Sequence, residues 1–298
     1  MRSLLVATVA ISALSAVTLS EHAKATPFIS SSAYALSVDL TFDGSATHYG
    51  PIARVAGSAP PPYDQNDAVM RINDTLLLDP SNPINPTLSI TATDIATRAV
   101  SAGFGVDFIS ASGQANLRTV GVVLTNNPPP PLGLLGILGL SLSATDIRSQ
   151  ADFSVVFPNR EFATGSASFG SLILTGALIG TTLTFLGDAP ANTVLFSNQT
   201  TTVTLDQQSV ANLISCTVGA GCIASPVGIT TEAIDIHLDN ASLFGGMVSG
   251  DIIIGQSFAG LASAVGEPVP EPASLLLLGV ALASLAALRQ GQADPMTQ

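Results

Sequence analysis

An all-β fold is predicted for the central part of this 298-residue chain, and three observations support it. Apolar and polar residues alternate with a period of two, as in Leu36–Phe42, which is the pattern of a half-buried strand. Clusters of Gly, Pro, Asn and Asp end many such segments, as turns require. No central segment has clear helical periodicity, and Leu132–Leu142 is ambiguous because its glycines suit neither a helix nor a strand.

The same alternation predicts eight further strands, and we expect them to form a two-layer antiparallel β-sandwich of roughly ten to fourteen strands. The alternative is a β-solenoid, which small inward-facing residues in a repeat also suit. The predicted strands are Leu88–Val100, Gln114–Leu124, Asp152–Phe157, Ala167–Leu174, Thr181–Leu186, Thr201–Leu205, Val227–Leu238 and Gly250–Phe258.

An internal repeat lies within this region. Leu88–Ile95 (LSITATDI) matches Leu140–Ile147 (LSLSATDI), and Ala111–Asn116 matches Ala163–Ser168 at the same offset of 52 residues. A weaker third copy is Ile229–Ile236. The shared offset predicts two related structural units, at about 88–124 and 140–176.

The charge of the central part excludes several functions. Thr26–Glu267 contains six arginines, no lysine and 18 acidic residues, a net charge of −12. We therefore expect no nucleic-acid binding through phosphate neutralisation and no attraction to anionic lipid. The absence of lysine also excludes Schiff-base chemistry in this region.

The N-terminus has the three parts of a secretory signal peptide. Met1-Arg2 is a minimal basic region, Leu4–Leu19 is apolar, and Ala23-Lys24-Ala25 has the small-x-small cleavage pattern. We predict a signal helix in residues 1–25, cleavage between Ala25 and Thr26, and export of the remainder.

The C-terminus has a second apolar segment that follows a Pro-Glu-Pro step. Ala273–Leu288 contains 16 residues without a charge, so a helix there would span about 24 Å, less than the ~30 Å hydrocarbon core. This length favours transient membrane insertion, and the alternative is a plain C-terminal anchor. Arg289 is a weak cytoplasmic stop, and residues 290–298 form a polar tail.

This C-terminal pattern resembles the PEP-CTERM sorting signal, placed here at 268–289. Its parts are Pro270, Glu271 and Pro272, the apolar segment and Arg289. The resemblance implies an exosortase-like membrane protease as partner and transient anchoring in the inner membrane. The protein would then lie at the cell surface, in the outer envelope or outside the cell. Such proteins are associated with exopolysaccharide and biofilm. The family normally ends in several basic residues, whereas a single arginine stands here.

The central part, 26–267, resembles choice-of-anchor surface proteins, in particular choice-of-anchor P. The resemblance is carried by Ser32–Val38, the Cys216–Cys222 loop, Ala233–His237 and Gly250–Gly255. It implies an exported domain that is joined to alternative C-terminal anchors. It implies no defined activity.

Cys216 and Cys222 are the only cysteines in the chain. In an exported protein a close pair predicts a disulfide, and Gly219 and Gly221 let the short loop turn back. The spacing excludes a C-x-x-C redox motif, and a zinc site would lack other thiol ligands.

Asp94, Asp146 and Asp235 recur in the repeat copies, each in line with an apolar row. A buried carboxylate needs a partner, for which Arg98, Arg148 or Ca²⁺ are the candidates. The favoured alternative is a β-bulge that turns each acid to water. The buried rows would then continue at Ile95, Ile147 and Ile236.

Asp64 and Asp67 are further weak candidates for Ca²⁺, because Tyr63–Asp67 places acids and amides in a predicted loop after three prolines. A solvated loop is the alternative. No confident metal site is predicted, and no other cofactor is expected.

Catalytic groups are scarce. The exported part has two histidines, His48 in a predicted loop and His237 in a predicted strand, and it has no nucleophile elbow and no Trp. We therefore expect no enzymatic activity. The function predicted is that of a structural or adhesive protein of the cell surface or extracellular matrix. The alternatives are a glycan- or Ca²⁺-binding surface module and a secreted hydrolase.

Overall fold

The computed structural model describes seven stretches of the chain, namely residues 29–59, 62–80, 86–104, 108–126, 138–156, 160–217 and 221–261. These stretches form thirteen β-strands and no helix. The strands are β1 Ile29–Phe42, β2 Ser45–Ile52, β3 Val55–Ala59, β4 Tyr63–Leu77, β5 Pro86–Phe104, β6 Phe108–Asn126, β7 Leu138–Val156, β8 Arg160–Thr175, β9 Leu183–Ala189, β10 Thr193–Ser197, β11 Thr201–Thr217, β12 Gly221–Leu243 and β13 Gly246–Leu261.

The strands form two antiparallel sheets that pack face to face. Sheet A has the order β10-β11-β12-β13-β1-β2, and β3 pairs with the other end of β1. Sheet B is a meander in chain order from β4 to β9. The predicted all-β antiparallel architecture is therefore confirmed. A solenoid is wrong, because neighbouring strands are antiparallel and mostly joined as hairpins rather than stacked as parallel coils.

The two strong copies of the sequence repeat occupy successive hairpins of sheet B. β5 begins and ends 52 residues before β7, and β6 begins 52 residues before β8. Asp94 and Asp146 have the same left-handed backbone, with φ of 48° and 49°. The repeated Thr-Asp-Ile therefore marks one backbone conformation at equivalent points of the two hairpins.

Along most of the long strands, successive side chains alternate between facing the core and facing outward, and this alternation is interrupted once. The strand pairing aligns the positions of these interruptions across each sheet. We call them the phase-shift row. Its sheet B members face outward and its sheet A members face inward. The row comprises Met70, Asp94, Arg118, Asp146 and Gly170 in sheet B and Asp206, Ala233, Gly255 and Ala35 in sheet A.

The core differs on the two sides of this row. On the side of Phe42 and Leu124, large aliphatic and aromatic side chains fill the space between the sheets. On the other side the buried residues are mostly Ala, Ser, Thr and Gly, and the sheets approach closely. A Cβ at Gly113 would contact the carbonyl oxygen of Ser32 and lie 2.6 Å from that of Phe258.

Buried side-chain hydrogen bonds join the sheets where they are closest. The Ser149 and Ser257 hydroxyl oxygens are 2.7 Å apart, and the Ser149 hydroxyl donates to the Thr231 carbonyl at 3.1 Å. The amide of Gln208 donates to the Gly165 carbonyl at 2.9 Å. Small residues thus allow direct polar contact between layers in place of a thick apolar core.

Two predicted loops are strands. Tyr63–Asp67 begins β4, the edge strand of sheet B, and His48 lies in β2. β4 is exposed along most of its length, and β2 has no fully buried residue, so their sequences lack the apolar alternation that predicted the others. Of the predicted segment Asp152–Phe157, the described residues 152–156 are only the end of β7, which starts at Leu138 inside the ambiguous glycine-containing stretch.

No helix in the described ranges has the length and apolar character needed to cross a membrane. The predicted signal helix at 1–25, the sorting helix within 268–289 and the tail at 290–298 lie outside the described residues.

Candidate functional site

Several predicted site residues lie outside what the structure describes. They are Ala23 and Ala25 of the cleavage site and Pro270, Glu271, Pro272 and Arg289 of the sorting signal.

For both cysteines, the structure describes the backbone but not the side chain. Cys216 and Cys222 lie directly opposite each other on β11 and β12. No disulfide occurs among the side chains that the structure describes. The disulfide therefore stays a prediction, and the facing backbone positions are those that a cross-strand bridge needs.

Asp64 and Asp67 do not lie together in a loop. Both are on the extended strand β4, three positions apart. Asp64 forms a two-point ion pair with Arg98, with N–O distances of 2.9 and 2.7 Å. This hydrogen-bonded guanidinium lowers the pKa of Asp64. Asp67 accepts a hydrogen bond from the Ala68 amide at 2.8 Å. Each acid thus has its own partner, Arg98 on the neighbouring strand β5 for Asp64 and the adjacent backbone amide for Asp67.

Asp94 and Asp146 match the bulge interpretation. Their left-handed backbone shifts the alternation, so that both acids face outward while Ile95 and Ile147 are buried. Asp94 is not paired with the candidate Arg98, which binds Asp64; instead, Arg118 on β6 donates to Asp94 at 3.2 Å. Arg118 lies opposite both aspartates in the strand register.

Asp235, in the weak third copy, differs from the other two. The phase shift on β12 occurs at Ala233, before the acid, and Ile236 is fully buried. Asp235 is half-buried on the outer face of sheet A. Burial, followed by the charges of Glu232 and Asp251, raises its pKa to about 6.

Asp206 on β11 is the aspartate that sequence reasoning missed. It also has a left-handed backbone, with φ of 48°, but it belongs to the inward-facing part of the phase-shift row and is only 2% exposed. Its Oδ2 accepts from the Gln208 amide at 2.9 Å, and its Oδ1 has no hydrogen-bond partner among the described residues. Burial raises the pKa of this carboxyl.

We predict that Asp206→Asn increases the free energy of unfolding by about 1–3 kcal/mol at pH 8. Because the folded-state pKa is raised, the folded chain binds this proton more tightly, and stability falls as pH rises through that pKa. Asparagine adopts the left-handed conformation readily, so the change isolates the charge. Urea unfolding at pH 8 and pH 4 measures the effect, and the gain should shrink at pH 4.

The control for this prediction is Asp188→Asn on β9, where the acid is exposed. Its stability should change by less than about 0.5 kcal/mol at either pH. An Asp206→Asn variant that is less stable than the parent at pH 8 would show that the buried carboxylate is stabilising.

No group of three or more His, Cys, Asp or Glu side chains among the described residues is arranged to hold a metal ion. The Ca²⁺ hypothesis therefore gains no geometric support from the described side chains.

Both described histidines lie on the outer face of sheet A in one row. The strand register aligns His237, Asp251, Asp39 and His48 across β12, β13, β1 and β2. The Nδ1 atom of His237 is 2.6 Å from Asp251, and His48 bonds Asp39 in the same way. The hydrogen bond to Asp251 raises the pKa of His237.

Charged residues are distributed unequally between the sheets. The strands of sheet A contain six acids and no arginine or lysine. Five successive strands of sheet B contain one arginine each, together with acids. These arginines are Arg71, Arg98, Arg118, Arg148 and Arg160.

Two adjoining cavities lie on the outer face of sheet B, and they form the candidate ligand site. The larger, of about 440 Å³, lies across β6 to β9 and is lined by outward amide and hydroxyl side chains with Arg148 and Asp188. The smaller, of about 290 Å³, lies at the phase-shift row beside Asp94, Arg118 and Asp146. Asn116 and Arg148 line both cavities.

Comparison with known proteins identifies one segment. Residues 268–290 match the family model of the PEP-CTERM protein-sorting motif. The motif supports an exported protein that an exosortase sorts and processes, with transient membrane anchoring by the C-terminal region. No curated protein and no solved structure matches the chain significantly.

Proposed function

We propose that this chain is a structural or adhesive protein of the cell surface or extracellular matrix, linked to exopolysaccharide and biofilm. The observation that carries the proposal is the sorting motif at residues 268–290, which lies behind an all-β domain. The resemblance of residues 26–267 to choice-of-anchor P proteins is in line with this role, because such domains are displayed by exchangeable anchors.

The proposal includes no enzymatic activity. Both described histidines are hydrogen-bonded to aspartates on an exposed sheet face, and no described hydroxyl group is hydrogen-bonded to either ring. The two cavities of the candidate ligand site contain arginine, aspartate, amide and hydroxyl groups, which suit binding. A glycan-binding surface module is therefore the second candidate function.

We predict that Glu271→Ala abolishes exosortase processing in a host that has its own exosortase. The substitution removes the only charge of the Pro-Glu-Pro step. A tagged chain should then accumulate as a longer, membrane-bound form, which immunoblots of membrane, surface and medium fractions would detect.

The matched control is Glu267→Ala, which removes an acid just before the matched residues. It should leave mature size and surface location unchanged. If Glu271→Ala behaves like this control, the sorting hypothesis is wrong. Deletion of the whole gene should reduce cell adhesion, and unchanged adhesion would remove the adhesive part of the proposal.

A further inference from the structure

The two cavities on sheet B are joined rather than separate. Asn116 and Arg148 line both, so a ligand can extend from Asp188 on β9 to Asp94 on β5. This direction crosses the strands of the sheet. The site is therefore an elongated groove, suited to a segment of a chain molecule more than to a single compact molecule.

The groove recognises ligands mainly by side chains. Four of the strands that line it, β5 to β8, are interior strands that pair with neighbours on both sides. The fifth, β9, is the edge strand of sheet B, so an extended peptide could add only there, at one end of the groove. What the groove offers instead is outward amide and hydroxyl groups, from Gln114, Asn116, Gln150, Ser166 and Ser168.

These groups match a polyhydroxyl ligand. Amide side chains donate and accept, as sugar hydroxyls do, so each can be satisfied by vicinal hydroxyls. The outward side chains that line the larger cavity include no large apolar or aromatic group, and an apolar ligand would bury little apolar surface there. The volume of about 440 Å³ is within the usual range of ligand sites.

The charges of the larger cavity favour a neutral ligand. The positive charge of Arg148 and the negative charge of Asp188 give the cavity no net charge. Neither side chain has an ion-pair partner among the described residues, whereas Arg98 and Arg118 are paired. The chain as a whole carries a net charge of −12 and repels polyanions. Unpaired Arg148 and Asp188 remain available as hydrogen-bonding groups for hydroxyls.

We propose that this groove binds a segment of a neutral polysaccharide, with Arg148 and Asp188 as the main hydrogen-bonding groups. The inference rests on the proposed surface function and names the class of its glycan partner. Arg148 lies at the junction of the two cavities, so its loss affects the ligand along most of the groove.

The test is affinity electrophoresis of the full chain, purified in mild detergent, in gels that contain β-glucan, galactomannan, arabinogalactan or dextran. At least one of these polymers should slow the chain. Arg148→Gln should weaken that affinity about tenfold or more, the loss of a hydrogen bond to a charged group. Arg160→Gln makes the same charge change at the far end of β8 and should leave the affinity unchanged.

The proposal is overturned if none of the four polymers slows the chain, or if Arg148→Gln binds as tightly as the parent. Stronger retardation in alginate, an acidic polymer, would also contradict it. Circular dichroism of both variants should match the parent. Because the assay uses purified protein, a failure here is separate from a failure of sorting in the Glu271→Ala cells.

Discussion

Gly113→Ala is expected to lower the free energy of unfolding by about 3 kcal/mol. The reason is the close approach of the two sheets on the small-residue side of the phase-shift row. A methyl group at this position would meet the backbone carbonyl oxygens of Ser32 and Phe258, which cannot rotate away as a side chain can. Relief requires the sheets to separate, which disturbs the buried hydrogen bond between Ser149 and Ser257.

The matched control is Gly121→Ala on the same strand, also without a left-handed backbone. The only added-methyl contact there under 3.0 Å is with the Thr91 hydroxyl, at 2.7 Å, and this side chain can rotate. That variant should be neutral or gain about 0.4–1 kcal/mol through the unfolded state. Urea unfolding measures the free energy of unfolding of both variants. Equal values would contradict the close approach of the two sheets at Gly113.

Asp146→Val is expected to lower the free energy of unfolding by about 2 kcal/mol. Valine favours strands, so propensity alone predicts a gain from this substitution in β7. The left-handed backbone, with φ of 49°, predicts a loss, because a β-branched side chain is strained there. The two effects have opposite signs, and the measured sign separates them.

Asp146→Asn is the comparison variant, since asparagine tolerates the left-handed region as well as aspartate does. It should differ from the parent by less than about 0.5 kcal/mol. Chemical denaturation of the three proteins at one pH measures both changes. A stabilised Val variant would contradict a left-handed backbone at this position.

Local patterns predicted much of the fold. Alternation in Leu88–Val100 and Gln114–Leu124 identified β5 and β6, because each has one face in the core. The same rule missed β4, which is exposed on nearly all its length. A strand that does not bury a face carries no alternation for the rule to detect.

The candidate sites were harder to predict from the sequence, because they are formed by strands that pair across long distances in the chain. The recurrence of Asp94 and Asp146 was visible in the sequence because both occupy equivalent hairpins. Asp206 has the same backbone, but it lies in no repeat copy, and its burial follows from the opposite orientation of sheet A. The row of His237, Asp251, Asp39 and His48 requires β1 to pair with β13, more than 200 residues along the chain. No local pattern indicates such a pairing.

Among the described strands, arginine occurs only in sheet B, so the two faces of the domain carry unequal charge and the domain has an electric dipole. Beside a negatively charged cell surface, the field would exert a torque that turns sheet B inward and sheet A outward. The effect acts within a Debye length, about 8 Å at physiological ionic strength, and weakens as salt increases. If the proposed display on a cell is correct, many copies would share an orientation, and the layer would present the lysine- and arginine-free strands of sheet A to its surroundings.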